Sequence, residues 1–122
     1  MQQWPWKRIW PALAWVAVLF ALSSIPGDEL PYVQAPLGFD KVLHIVAYAV
    51  LGMLAMRGWF EAGVAPWIIF AFCVGYGVTD ELHQIFVPGR FPDVYDWIAD
   101  VIGSGVGTWG MFHWLRRRRR AA

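Results

Sequence analysis

No charged residue occurs between Ile9 and Gly27, and the run Ala12 to Leu22 within that stretch is apolar on every face a helix could present. A helix with no polar face has to be enclosed on all sides, by a large protein core or by lipid. Three more segments follow: Val42 to Phe60, interrupted by His44 and near its end by Arg57; Val64 to Val87, uncharged until Asp80; and Val94 to Leu115, with Asp96 and Asp100 near its start. Each is close to the ~20 residues that cross a bilayer. A chain of 122 residues has no core large enough to hide four such helices. Its charged fraction is 16%, and five of the nineteen charges sit in the terminal block Arg116 to Arg120. Soluble domains carry about 25%. A soluble globule, a disordered chain and a disulfide-stapled secreted fold are all excluded on these grounds, the last also because Cys73 is the only cysteine.

The expected fold is all-α: a polytopic membrane protein, a four-transmembrane-helix bundle. It forms a single domain over residues 1–122, with spans at about 9–26, 42–60, 64–87 and 94–115 and a basic tail at 116–122. Breakers fall between the spans: Pro26, Gly27, Pro31, Pro36 and Gly38, then Gly58, Gly63 and Pro66, then Pro88, Gly89 and Pro92. No stretch alternates strictly, and a membrane barrel needs at least eight strands. Trp4, Trp6, Trp10, Trp59, Trp67, Trp97, Trp109 and Trp114 lie near span ends, as an interfacial belt would have them.

Basic residues orient the bundle. An even number of spans leaves both termini on one side, together with Lys7, Arg8, Arg57 and Arg116 to Arg120; only Lys41 and Arg90 fall on the other. This bias predicts a multi-pass protein of the plasma (inner) membrane with both termini cytoplasmic. The terminal arginines then serve orientation and meet anionic lipid, and no nucleic acid is expected. A rival reading takes the first span as a cleavable signal peptide behind Lys7 and Arg8, but no clear small-x-small site follows it.

Projection at 100° per residue brings the polar residues together. His44, Tyr48, Gly52 and Ala55 share a stripe in the second span, with Asp40 beside it. Cys73, Gly77, Asp80 and Gln84 share one in the third, flanked by Glu81 and His83. Asp96, Asp100, Gly103, Gly107 and Gly110 share one in the fourth. Small residues on these stripes let backbones approach, so the stripes are expected to face the bundle interior. All the ionisable groups fall within roughly 10 Å of the outer boundary at 1.5 Å per residue. Ionisable groups at such depth are costly and read as functional. Asp40 and Asp93 could instead be helix caps, Arg90 a structural partner for Asp93 or Asp96, and His83 and His113 packing residues.

The segment Asp40-Lys41-Val42-Leu43-His44-Ile45-Val46-Ala47-Tyr48 resembles the opening motif "D-K-x-x-H-x-x-x-Y" of the VanZ-like membrane family. Glu81 to Arg90 resembles its "E-x-x-Q-x-x-x-x-G-R" stretch, and Asp96 to Gly103 its "D-x-x-x-N-x-x-G" segment, in the family's order. The resemblance implies ligand-binding positions at Asp40, Lys41, His44, Tyr48, Glu81, Gln84, Arg90 and Asp96. Asp100 stands where the family commonly has Asn, which adds a carboxylate to the same site. The resemblance also implies a small polytopic protein linked, through the family's name-giving member, to teicoplanin resistance.

Three chemistries stay open. In the first, an outer-leaflet pocket binds a lipid-linked or glycopeptide-type ligand, with Arg90 and Lys41 on its phosphate or carboxylate. In the second, a membrane-embedded hydrolase or transferase works on a lipid phosphate or envelope precursor, with His44, Glu81 and Asp96 as catalytic candidates. Clustered carboxylates such as Glu81, Asp96 and Asp100 would suit a hard divalent ion, but no metal motif of fixed spacing is present and no cofactor is expected. No serine is expected near the polar level. The third, a cation-coupled relay, is disfavoured by inner halves that carry little polar beyond Arg57. Membrane lipids are the expected surroundings, and the glycines of the fourth span could pack a second copy of the chain.

Overall fold

The computed structural model describes residues 6–30 and 38–122; Trp4, Pro31 and Pro36 lie outside them. Among the described residues there are four α-helices and no strand: α1 (Trp6–Ser23), α2 (Phe39–Trp59), α3 (Pro66–Gln84) and α4 (Val94–Ala121), with a 3₁₀ turn at Gly27–Glu29. The all-α expectation therefore holds. By length and composition α2 is the one described helix apolar enough to cross a membrane. The others are diluted by charge: Lys7 and Arg8 open α1, Asp80 and Glu81 close α3, and α4 joins two aspartates to the arginine block.

Local chemistry explains the boundaries. Gly38 precedes α2 at φ 89°, a left-handed turn that suits a residue without Cβ. Pro66 opens α3, where its missing N–H costs nothing. Asp93 caps α4 by accepting the Tyr95 backbone N–H at 2.8 Å. The far end of α4 departs from expectation, because the helix runs on through Arg116 to Arg120 instead of giving way to a tail. Arginine is a good helix former and favours a helix C-terminus, and no breaker intervenes. Arg116, Arg118 and Arg119 also lie over the rings of Phe112, Trp114 and Phe60.

Contacts fix the directions. Trp15 Nε1 donates to the Ala47 carbonyl (2.9 Å) and Trp59 Nε1 to that of Ile9 (3.4 Å), so α1 and α2 are antiparallel. Trp97 Nε1 reaches the Val74 carbonyl and the Asp93 N–H reaches Glu81, which makes α3 and α4 antiparallel. The α2–α4 seam is parallel: a Cβ on Gly103 would strike the Ile45 carbonyl, and one on Gly107 that of Ala49. Gly103 and Gly107 of α4 thus pack against α2, as small residues do where backbones nearly touch, whereas Gly105 faces Phe70 of α3 and Gly110 faces open space. Trp15, Trp59 and Trp97 turn out to be ties between helices.

This alternating order collects Arg8, Arg57, Glu61 and the arginine block at one end of the bundle, with an Arg8–Glu61 ion pair at 3.2 Å. The other end holds Asp40, Lys41, His44, Asp80, Glu81, Arg90, Asp93, Asp96 and Asp100. Between the ends lies an apolar core built on Tyr48, Leu51, Ala55, Met56, Ile69 and Cys73.

Candidate functional site

The stripes read from the sequence face inward, with the exception of Gly110, which is exposed. Tyr48, Gly52 and Ala55 are buried on α2, as are Cys73, Gly77, Asp80, Glu81 and Gln84 on α3 and Asp96, Asp100, Gly103 and Gly107 on α4. The parallel α2–α4 seam then sets the pairing. Lys41 meets Asp96, and one turn deeper His44 meets Asp100.

Lys41 forms the outer cluster. Its ammonium donates to Asp40 Oδ2 and Asp93 Oδ2, each at 2.9 Å, and to Asp96 Oδ1. An ammonium has three N–H groups, and here each has a carboxylate. Asp93 has two roles, capping α4 through Oδ1 and binding Lys41 through Oδ2. The hydrogen bond from Lys41 is the main reason its carboxyl titrates below the ordinary range, helped by the Tyr95 N–H. Asp40 sits in the first turn of α2 after Gly38, not at the cap.

The inner cluster is drier. His44 Nδ1 lies 2.7 Å from Asp100 Oδ1, and Nε2 lies 3.8 Å from Asp96 Oδ2. Glu81 Oε2 accepts the Asp93 N–H at 2.9 Å, so a side chain of α3 helps satisfy the start of α4. Asp100 is fully buried and Glu81 is 8% exposed; among the described residues Asp100 Oδ2 and Glu81 Oε1 have no hydrogen-bond partner. One donor atom from each of His44, Glu81 and Asp100 lies within 4.8 Å of the others. This is a slightly different trio from Glu81, Asp96 and Asp100, because Lys41 claims Asp96. Below it, the Tyr48 hydroxyl donates to Asp80 Oδ2 at 3.1 Å, and both groups are buried.

Gln84 is buried on the same face of α3. Arg90 lies on the turn after α3, where its Nη2 reaches the Leu22 carbonyl at the end of α1 (3.4 Å). One feature escaped the sequence. Ser24 does come level with the polar groups, its Oγ 2.9 Å from His83 Nε2, while His83 stacks on Phe20 at 4.5 Å. Ser24 Oγ also contacts the Phe20 carbonyl at 2.7 Å, so the pair serves to fasten α1 to α3. Asp80, which no family motif covers, belongs to the site through Tyr48.

A cleft of about 340 Å³ opens between α3 and α4 beside these clusters. Val78, Leu82, Pro92, Val94 and Trp97 make its wall apolar, and Glu81 and Asp93 supply its polar end.

A small helical protein with a buried histidine–carboxylate site at one end of its bundle is the class these features define. The chain belongs to the VanZ/LLP1 family, whose family model matches residues 3–116. With the apolar α2, that membership points to a membrane protein. No curated protein and no solved structure matches the chain.

Proposed function

We propose that the protein crosses the plasma (inner) membrane four times with both termini cytoplasmic. At the outer end of the bundle it binds the head of a lipid-linked or glycopeptide-type envelope molecule, and so contributes to teicoplanin resistance. The observation that carries this reading is the α3–α4 cleft: an apolar wall suited to a lipid chain runs into Glu81 and Asp93, directly beside the buried polar clusters. Pockets of this composition use the apolar wall for affinity and a few polar groups for orientation. The crossing is supported by helices of about 27 to 42 Å at 1.5 Å per residue. It is supported too by outward faces rich in large apolar residues, including Leu13, Phe20, Val46, Ile68, Ile98 and Val106.

The site's charge favours one mode of recognition. With every Lys41 N–H already engaged, a ligand phosphate would have to displace a carboxylate from it. The carboxylates are better placed as acceptors for the hydroxyls and amines of a sugar or peptide head. In a teicoplanin-susceptible host, the wild type is expected to raise tolerance, and His44→Ala and Glu81→Gln at matched membrane levels to abolish the gain. Unchanged protection by both variants would sink the proposal.

A second reading has its own support. A buried aspartate 2.7 Å from an imidazole orients a general base, so the His44–Asp100 pair favours hydrolysis or group transfer on a lipid-linked phosphate. Release of phosphate from such a lipid by the purified protein, lost in His44→Ala, would identify it. A stable complex without turnover would return the site to binding.

A further inference from the structure

We propose that His44, Glu81 and Asp100 hold a divalent transition ion of the zinc or manganese class between α2, α3 and α4. One donor atom from each lies within 4.8 Å of the other two, and the three come from three different helices. A tetrahedral ion with ligands at about 2.1 Å keeps its donors about 3.4 Å apart. Side-chain rotation of roughly an ångström is therefore enough to close the set.

The second observation is independent of this spacing. Asp100 is fully buried, yet among the described residues Oδ2 has no hydrogen-bond donor; Glu81 Oε1, on a residue 8% exposed, has none either. Gly77 lies against Asp100 Oδ2, and any Cβ there would sit 3.2 Å from it, so α3 leaves room without offering a donor. Buried carboxylate oxygens are normally paired, because an unpaired one loses its hydration for nothing. A cation answers both orphan oxygens and the imidazole together.

The surroundings agree. Asp40, Asp80, Asp93 and Asp96 add four more carboxylates at this end, and Lys41 engages three of those four. The excess negative charge falls where the trio lies. Imidazole in the donor set favours a first-row ion such as zinc over magnesium or calcium, which prefer oxygen alone. Three protein ligands would leave at least one coordination position open, and Glu81 lines the α3–α4 cleft, so that position is within reach of a ligand there. The inference deepens the proposed function, but its readout is metal content, so either can fail without the other.

The test uses the full chain, purified in detergent, stripped with chelator and dialysed against Zn²⁺ or Mn²⁺. About one equivalent per chain is expected, with Mg²⁺ and Ca²⁺ unable to compete at equal concentration. Asp100→Asn and His44→Gln are expected to lose at least tenfold in affinity, whereas Asp28→Asn, on the exposed turn after α1, binds as wild type. Elution volume and thermal melting monitor folding, and bound metal raises the melting temperature of the wild type but not of Asp100→Asn. Should a variant fail to fold, Co²⁺ in the wild-type protein decides: visible bands of a low-symmetry nitrogen–oxygen site support the proposal. A six-oxygen spectrum, substoichiometric metal, or full binding by Asp100→Asn and His44→Gln overturns it.

Discussion

Two acidic clusters lie one helical turn apart on the α2–α4 seam and are built on opposite principles. Around Lys41 every donor has an acceptor: three N–H groups and three carboxylates, with Lys41, Asp40 and Asp93 partly open to solvent and Asp96 buried. Around His44 the balance fails, with Asp100 fully buried and two carboxylate oxygens unanswered. The first arrangement fastens the start of α2 to the start of α4. The second does nothing for the fold that an apolar trio would not do better. Adjacent positions on one helix face can therefore differ in kind, one cluster holding the register and the other burying carboxylates that the fold does not need.

The most severe way to break the comparison is to part the helices that carry both clusters. In Gly107→Leu the side chain would run into the Ala49 backbone, which cannot turn aside. A loss of about 3 kcal/mol or more is expected, read as a collapse of thermal stability in detergent. Gly110→Leu, facing open space, should change it little.

Removing the cation alone comes next. Lys41→Met strands Asp40, Asp93 and Asp96 beside one another, and a cost of about 1–3 kcal/mol is expected, between that of exposed and buried pairs. Adding Asp96→Asn should restore part of the stability. If Lys41→Met melts like the wild type, the outer cluster is not a fastening.

What could be read without coordinates, and what could not, follows the same divide. A projection along each helix identifies the inward face, so His44, Tyr48, Asp80, Gln84, Asp96 and Asp100 were all legible as interior. It carries no information on register between helices. That Lys41 takes Asp96 while His44 takes Asp100 depends on how closely Gly103 and Gly107 let α4 approach α2. Asp93 looked like a cap and is one; its second bond, to Lys41, crosses from one helix to another and leaves no mark in local spacing. Ser24 was missed because its level depends on where α1 stops, and a continuous apolar run does not say. The helical arginine block is hidden for the opposite reason: the composition changes at Arg116 while the helix does not.

Asp100→Asn sharpens the contrast from the other side. It is nearly the same shape, removes a buried charge that lacks a full set of donors, and keeps an oxygen for His44. Stability in the absence of metal is expected to stay within about 1 kcal/mol of the wild type or to rise, since an unpaired buried charge opposes folding. Protection against teicoplanin should nonetheless fall. Loss of stability as large as that of Lys41→Met would mean that both clusters are structural and would remove the distinction.

The smallest expected effect is a dependence on pH. Asp93 binds its proton less tightly in the fold than in the unfolded chain, because Lys41 and the Tyr95 N–H favour its carboxylate. Its contribution is therefore complete above its ordinary value of 3.8 and disappears as the pH falls through the lower value it has in the fold. Asn at this position can still cap α4 but cannot pair with Lys41 as a charge. Wild type and Asp93→Asn should thus differ by less than about 1 kcal/mol at neutral pH, given how far this side chain is open to solvent. The difference should shrink in high salt and close only once the pH has fallen below the lowered value that Asp93 has in the fold. A gap that persists unchanged in acid would assign the role of Asp93 to capping alone and leave Lys41 with two effective partners in place of three.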